Sequence, residues 1–186
     1  MAATTEVTGR TTAIPGLLVF DVTKIGDERG YFQEKYQREK LIAAGLPDDF
    51  VVVQNNISFN QASGSTRGLH AEPWEKYLSI ITGKAFCVWV DLRKGDSFGK
   101  IVTQIVDPLT TVFVPRGIAN GYQALEPNTY YSYLVNAHWS PDGKYQSLSM
   151  FDPELAIDWP IKPDQAVVSD KDKANPMLKD ITPMEF

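Results

Sequence analysis

Short runs rich in β-branched and aromatic residues recur along most of the chain, and turn-forming residues bound each run. This alternation is typical of an antiparallel sandwich or barrel. The predicted strands cover residues 17–22, 50–58, 77–81, 85–92, 100–106, 111–114, 121–125 and 129–135. About eight strands are enough for a jelly roll, so we predict an all-β jelly-roll barrel or sandwich.

The segments between the strands predict turns, one helix and a packed tail. The Thr-Gly-Lys sequence at residues 82–84 predicts a hairpin turn between two neighbouring strands. A short helix is predicted over residues 37–44, because Leu41 and Ile42 give it an apolar side and Gly45 favours a stop. From residue 141 onward the apolar periodicity fades, and prolines predict a tail packed over the sheet. We expect residues 1–186 to form a single domain.

Charge and cysteine content narrow the functional class. A net charge of −5 and a pI near 5.0 disfavour a nucleic-acid binder, which usually carries a basic patch. No apolar stretch approaches the ~20 residues of a membrane span, and no signal peptide is visible, so no membrane association is predicted. The single cysteine, Cys87, lies in an apolar run that predicts a buried thiol. These features indicate a cytoplasmic protein.

Residues 67–77 gather an arginine, a lysine, two carboxylates and one of the two histidines in the chain. Histidine has an ordinary pKa of ~6.5, and cations beside it could bind phosphates or a developing oxyanion. Taken alone, the segment fits a partly buried histidine beside a charged hairpin end somewhat better than a catalytic histidine. Arg67 and His70 would point to opposite faces of a regular strand, but Gly68 between them could host a bulge that turns both into one cavity.

A second candidate group lies on the strand predicted over residues 129–135. Strand alternation places Tyr131, Tyr133 and Val135 on one face. A tyrosine facing a barrel interior could act as an acid, or it could simply fill the core. A metal centre is not predicted, because His70 and His138 are the only histidines and Asn120 stands where metal-binding small barrels present one.

Four separated motifs in register give the chain a strong resemblance to a known family. They are DERGYFQE at residues 27–34, VQNNIS at 53–58 with RGLH at 67–70, VDLR at 90–93 with FG at 98–99, and DWP at 158–160 with VSDKD at 168–172 and Pro176. Together they resemble the dTDP-4-dehydrorhamnose 3,5-epimerases, which are cupin-fold enzymes. The resemblance covers nearly the whole chain and implies a cupin-type jelly roll.

The resemblance also implies roles for individual residues. His70 corresponds to the general base, Asp172 to the carboxylate that orients it, Tyr133 to the acid and Lys76 to the contact with the sugar keto oxygen. The implied contacts to the dTDP-sugar are Arg29, Phe32, Glu34, Gln54, Asn55, Asn56, Arg67, Asn120, Trp139 and Lys171. No cofactor is implied, and a homodimer in which strands cross between subunits is expected.

The chain departs from many relatives at two places that bear on the sugar. Asn120 replaces a histidine, and the loop 71–75 between His70 and Lys76 is short, where Trp74 could fill the space of a longer loop. The implied reaction is epimerisation at C3 and C5 of dTDP-4-dehydro-6-deoxy-D-glucose through removal of protons next to the ketone. Two alternatives stay open: an epimerase acting at C3 or C5 only on another deoxysugar nucleotide, and a carbohydrate-binding jelly roll without turnover.

Overall fold

The computed structural model describes residues 4–186, and strands dominate it. The strands are β1 (Val7–Thr11), β2 (Leu18–Val22), β3 (Ile25–Asp27), β4 (Gly30–Phe32), β5 (Gln54–Asn60), β6 (Ser65–Ala71), β7 (Lys76–Thr82), β8 (Ala85–Asp91), β9 (Ile101–Val106), β10 (Thr110–Val114), β11 (Ile118–Ala124), β12 (Thr129–Val135), β13 (Gln146–Ser147) and β14 (Val167–Val168). The helices are α1 (Arg38–Ala43), α2 (Asp170–Lys173) and a 3-10 turn (Leu178–Asp180). Neither α-helix has the length and apolar content needed to cross a bilayer.

Two sheets face each other. The first has the strand order β1-β2-β10-β7-β12-β5, and the second has the order β13-β6-β11-β8-β9, with β14 pairing in parallel with β6. Strands β3 and β4 form a separate hairpin. Most connections from β5 to β12 pass from one sheet to the other, which is the winding of a jelly roll. The predicted fold class is confirmed.

The hairpin predicted at residues 82–84 is wrong. The segment does join β7 to β8, but β7 pairs with β10 and β12, whereas β8 pairs with β11 and β9 in the opposite sheet. The two strands lie face to face because both bury apolar side chains in the space between the sheets. Leu78 and Ile80 from β7 share one core cluster with Cys87 and Trp89 from β8.

The other predictions about local structure agree with the fold. All eight predicted strands are present, although the run predicted over residues 50–58 becomes a strand only at Gln54. Helix α1 lies within the predicted range, and the Gln37 side chain caps it by accepting the Lys40 N–H at 2.7 Å. Gly45 follows the helix at φ 110°, a conformation that suits glycine. Cys87 is fully buried, and burial raises the pKa of its thiol.

Other parts of the chain cover much of the outer face of each sheet. Helix α1 packs its buried Leu41 against the outer side of the first sheet, where it joins Phe20, Phe50 and Phe113. The chain beyond residue 141 covers the second sheet, as predicted, since Leu148, Met150, Leu155, Trp159 and Met184 share a buried cluster with residues of β6, β8 and β11. The tail thus reaches β6, the strand that carries His70, and this contact positions α2.

Candidate active site

A bulge in β6 turns two cavity side chains to the same side. In the pairing of β6 with β11, His70 lies opposite Asn120 and Arg67 lies opposite Tyr122, so β6 uses one residue more than its partner. Gly68 sits in this bulge at φ 119°, and a Cβ there would lie 2.6 Å from the Cα of Gly121. Arg67 and His70 line the same cavity, which confirms the predicted bulge.

His70 is oriented by a carboxylate from the C-terminal tail. Its Nε2 lies 2.8 Å from Oδ1 of Asp172, whose side chain is only 8% exposed. Ser169 caps α2 by accepting the N–H of Asp172, and Oδ2 of Asp172 accepts the N–H of Gly68 at 3.4 Å. Because a carboxylate accepts hydrogen bonds, this contact assigns the proton of the neutral imidazole to Nε2 and leaves Nδ1 as the nitrogen with a lone pair.

The cavity between the sheets has two chambers that share His70, Glu72 and Tyr133 in their walls. The inner chamber is about 210 Å³, and Arg67 and Lys76 are among its cationic lining residues. The outer chamber is about 440 Å³. A sugar in the inner chamber would therefore lie between His70 on one sheet and Tyr133 on the other.

Tyr133 faces this cavity together with Tyr131 and Val135, which confirms the alternation predicted for β12. Burial raises the pKa of Tyr133, and the negative charge of Glu72 adds to that effect while the charge of Arg67 opposes it. The phenol therefore stays protonated well above neutral pH and can donate a proton. Tyr131 is fully buried, with its hydroxyl within hydrogen-bond distance of Asn120.

Lys76 reaches the inner chamber from the first residue of β7. Its side chain is 7% exposed, and its ammonium group forms an ion pair with Glu72 across the short loop 71–75. The backbone of this loop is fixed at both ends: the carbonyl of Glu72 accepts the N–H of Gly117 at 3.0 Å, and the N–H of Glu75 donates to Asn136 at 2.9 Å. The cavity therefore holds a buried cation in a defined place.

The outer chamber combines amide and aromatic side chains. Gln54 and Asn56 point into it from alternate positions of β5, and the Gln54 amide donates to Asn56 at 2.7 Å. Trp139 is 67% exposed and stacks on Tyr145 with 6.4 Å between ring centroids. Lys171 adds a positive charge. An exposed aromatic ring, side-chain amides and a cation together can bind the base and the diphosphate of a nucleotide.

The structure does not bring every predicted contact to this cavity. Asn55 lies on the opposite face of β5, where it accepts a hydrogen bond from Ser132 at 3.0 Å. Arg29 lies in the turn of the β3–β4 hairpin and pairs with Asp27, and Phe32 at the end of that hairpin is 63% exposed. Glu34 pairs with Lys40 at 2.6 Å. None of the four predicted contacts, Asn55, Arg29, Phe32 and Glu34, lines either chamber of its own chain.

Several residues that line the cavity were not among the predicted ligands, and Glu72 and Tyr145 are two of them. Glu72 stands two positions after His70, and this spacing was the one signal that could have placed its carboxylate at the cavity. Tyr145 lies in the tail, where no strand periodicity indicates which way a side chain points. No three His, Cys, Asp or Glu side chains of residues 4–186 come together as a metal-binding group.

The sequence matches the family described as dTDP-4-dehydrorhamnose 3,5-epimerase over residues 11–180. It is 45% identical over 178 residues to the protein named RmlC homolog of Streptococcus pyogenes serotype M6, an alignment that covers 92% of this chain and 89% of that protein. It is 34% identical over 175 residues to the dTDP-4-dehydrorhamnose 3,5-epimerase of Pseudomonas aeruginosa, covering 90% of this chain and 94% of the relative.

The fold is also similar to solved structures. RmlC from Streptococcus suis, solved in complex with dTDP-D-xylose, superposes with a TM-score of 0.91 at 43% identity. The match covers 96% of this chain and 94% of that one. Sequence and backbone thus agree over the elements that carry the cavity.

Proposed function

The chain belongs to the dTDP-4-dehydrorhamnose 3,5-epimerase family, and on this premise we propose how its cavity acts. It converts dTDP-4-dehydro-6-deoxy-D-glucose to dTDP-4-dehydro-L-rhamnose by inverting C3 and C5. One observation carries the assignment of residues: His70, paired with Asp172, and Tyr133 border the same opening from opposite sheets. A base and an acid on opposite sides of a sugar ring are what an inversion requires.

His70 is the general base. The 4-keto group acidifies the hydrogens on C3 and C5, because the enolate that forms spreads its charge onto the ketone oxygen. Nδ1 of His70 takes the proton, and the Asp172 carboxylate holds the ring and stabilises the imidazolium that results. Asp172 does not itself need to take the proton.

Tyr133 and Lys76 complete the step. The ammonium group of Lys76 stabilises the enolate oxygen, and Tyr133 delivers a proton to the face of the ring opposite His70. His70 then releases its proton to solvent and the Tyr133 phenolate takes one up, which restores both groups before the second carbon reacts. The raised pKa of Tyr133 keeps its proton in place until the enolate forms. The acidity comes from the substrate's own ketone.

The nucleotide lies in the outer chamber. Trp139 provides an aromatic face for the base, Gln54 and Asn56 provide amide groups, and Lys171 faces the diphosphate together with Arg67 at the inner end. The two chambers meet at His70, so a bound nucleotide places the sugar beside the base. Asn120 borders the sugar side, where its amide is held against Tyr131.

The active unit is a homodimer in the cytoplasm. Arg29 and Phe32 are exposed on the β3–β4 hairpin and can reach a second subunit's cavity, which accounts for their distance from their own. The outer face of β5 and β12 also exposes Ile57 and Tyr130, apolar side chains that a partner would cover. Analytical ultracentrifugation at micromolar concentration should give twice the monomer mass, and the mass of a monomer would refute the proposed homodimer.

One assay separates the proposal from its alternatives. The protein is incubated with the 4-keto-6-deoxyglucose nucleotide in D₂O, and deuterium at C3 and C5 is followed by NMR. Incorporation at both carbons supports the 3,5-epimerase, whereas incorporation at one carbon identifies a single-site epimerase. If deuterium enters neither carbon, the result supports a carbohydrate-binding jelly roll without turnover.

A further inference from the structure

We infer that Glu72 is a positioning residue of this site, which holds the ammonium group of Lys76 in the correct place until the enolate forms. The inference rests on the proposed function, because it assigns Lys76 its place beside the enolate oxygen. Glu72 is not one of the residues for which the family resemblance implies a role. The contacts of its carboxylate carry the argument.

The Glu72 carboxylate forms an ion pair with Nζ of Lys76, and the side chains are 18% and 7% exposed. Within residues 4–186 no second carboxylate lies within 4.0 Å of that nitrogen. The nearest alternative in the chamber, Asp172, is already engaged with His70. Glu72 is therefore the carboxylate that holds Nζ of Lys76 in place.

The other groups in the inner chamber leave this pairing intact. Arg67 and His70 face it from β6, Tyr131 and Tyr133 from β12, and Tyr122 from β11. Besides His70 and the phenols, the chamber holds two cationic side chains, Arg67 and Lys76, and two carboxylates, Glu72 and Asp172. Such a chamber matches a substrate whose reacting ring is neutral at rest.

The balance changes when the proton leaves the sugar. In the resting enzyme the Glu72 carboxylate holds the buried ammonium group of Lys76 in place and offsets the cost of burying its charge. As negative charge builds on the ketone oxygen, the same ammonium group gains a second anionic partner. The interaction with Lys76 is then stronger in the transition state than in the ground state, which accelerates the reaction.

The same loop offers a matched control. Glu75 is also partly buried, but its carboxylate accepts a hydrogen bond from Asn136 at 2.9 Å and lies 3.7 Å from Arg116, outside both chambers. Glu72→Gln and Glu75→Gln therefore remove the same charge from two positions of one loop. Only the first removes the partner of Lys76.

The test measures kcat, KM and dTDP binding in wild type, Glu72→Gln, Glu75→Gln, Lys76→Met and the double variant Glu72→Gln with Lys76→Met. We expect Glu72→Gln to lower kcat about 10- to 100-fold, which is a smaller loss than Lys76→Met should cause by removing the ammonium group itself. The affinity for dTDP should stay within about twofold of wild type. Glu75→Gln should keep wild-type kcat. The double variant should be no slower than Lys76→Met, because Glu72 acts through Lys76.

Three results would overturn the inference: a kcat for Glu72→Gln equal to that of Glu75→Gln, a loss seen in dTDP binding rather than kcat, or losses that multiply in the double variant. If Glu72→Gln does not fold, the comparison of the double variant with Lys76→Met decides alone, with equal kcat supporting the inference and a lower kcat refuting it. A wild-type enzyme without deuterium exchange would overturn the proposed function as well. If the wild-type enzyme exchanges deuterium and Glu72→Gln keeps the wild-type kcat, only this inference would be overturned.

Discussion

Nε2 of His70 lies 2.8 Å from Oδ1 of Asp172, although 102 positions separate the two residues in the chain. The strand β6 holds the histidine, and the tail brings the carboxylate back across the second sheet on α2. The orientation of the base is therefore coupled to the packing of the tail.

Removing the charge of Asp172 should slow the reaction without weakening nucleotide binding. Asp172→Asn keeps the size of the side chain, but it no longer holds the imidazole in the tautomer with a proton on Nε2. We expect kcat to fall about 10²- to 10⁴-fold and dTDP affinity to change little. Asp170→Asn is the matched control, because Asp170 lies in the same short helix with a fully exposed side chain. Equal kcat values for the two variants would contradict the role given to Asp172.

Tyr133→Phe should separate proton removal from inversion. His70 remains able to take the C5 proton and to return a deuteron to the same face, whereas the opposite face lacks its donor. Deuterium should therefore enter the substrate with its configuration retained, while product formation falls about 10²- to 10⁴-fold. Tyr130→Phe provides the control, since Tyr130 lies on the other face of β12 and is 39% exposed. Unchanged product formation by Tyr133→Phe would assign the acid to another group.

Gly68→Ala should disrupt the bulge that carries His70. A Cβ at this position would lie 2.6 Å from the Cα of Gly121 and 2.8 Å from the carbonyl oxygen of Asn120, and the φ of 119° adds backbone strain. We expect a loss of about 3 kcal/mol in the free energy of unfolding, together with loss of activity. Gly45→Ala tests strain alone, because Gly45 has a φ of 110° with nothing within 4 Å of the added carbon. Urea denaturation compares the two, and equal losses would show that the close approach to β11 does not matter.

Strand periodicity predicted the parts of the site that lie on regular elements. The alternation of β12 was enough to place Tyr131 and Tyr133 in the cavity, and a glycine between Arg67 and His70 was enough to suggest the bulge. Strand periodicity did not predict which strands pair with each other. The turn at Gly83 has the residues of a hairpin turn, yet it connects strands of two different sheets. The apolar faces of β7 and β8 pack against each other across the core, so the two strands do not pair by backbone hydrogen bonds.

Residues outside regular strands were harder to place. Tyr145 and Glu72 enter the cavity from a tail and a loop, where side-chain direction depends on tertiary contacts such as the hydrogen bond from Gly117 to Glu72. The family resemblance implied that Arg29 contacts the substrate, but the hairpin that carries it lies outside both chambers. A motif gives the identity of a residue, whereas its position follows from packing.

Lys35 should make stability depend on pH in the alkaline range. Burial lowers the pKa of Lys35 to about 8, an effect that the charge of Asp107 partly opposes, and its Nζ donates to the carbonyl of Pro108 at 2.6 Å. The unfolded chain holds this proton up to a pKa of about 10.4, so between pH 8 and 10.4 it binds more protons than the folded protein. The free energy of unfolding should therefore rise with pH in this window and lose that contribution as pH falls through 8. We expect Lys35 to contribute a rise of about 1–2 kcal/mol between pH 7 and 9.5, allowing for incomplete burial and the upper limit of that window. The buried thiol of Cys87 opposes this rise, because burial raises its pKa and the unfolded chain loses that proton at about pH 8.5.

The change in the free energy of unfolding between the two pH values should therefore be about 1–2 kcal/mol more positive in wild type than in Lys35→Met, measured by urea denaturation. The variant also loses the hydrogen bond to Pro108, so the difference between the two pH values, and not the stability at either one, is the informative quantity. Lys24→Met removes an exposed lysine that lies over the ring of Tyr31 and should keep the wild-type change. Because tyrosines ionise only near pH 10 or above, the burial of Tyr122 and Tyr131 does not contribute in this range. A change of equal size in Lys35→Met would mean that groups other than Lys35 account for it.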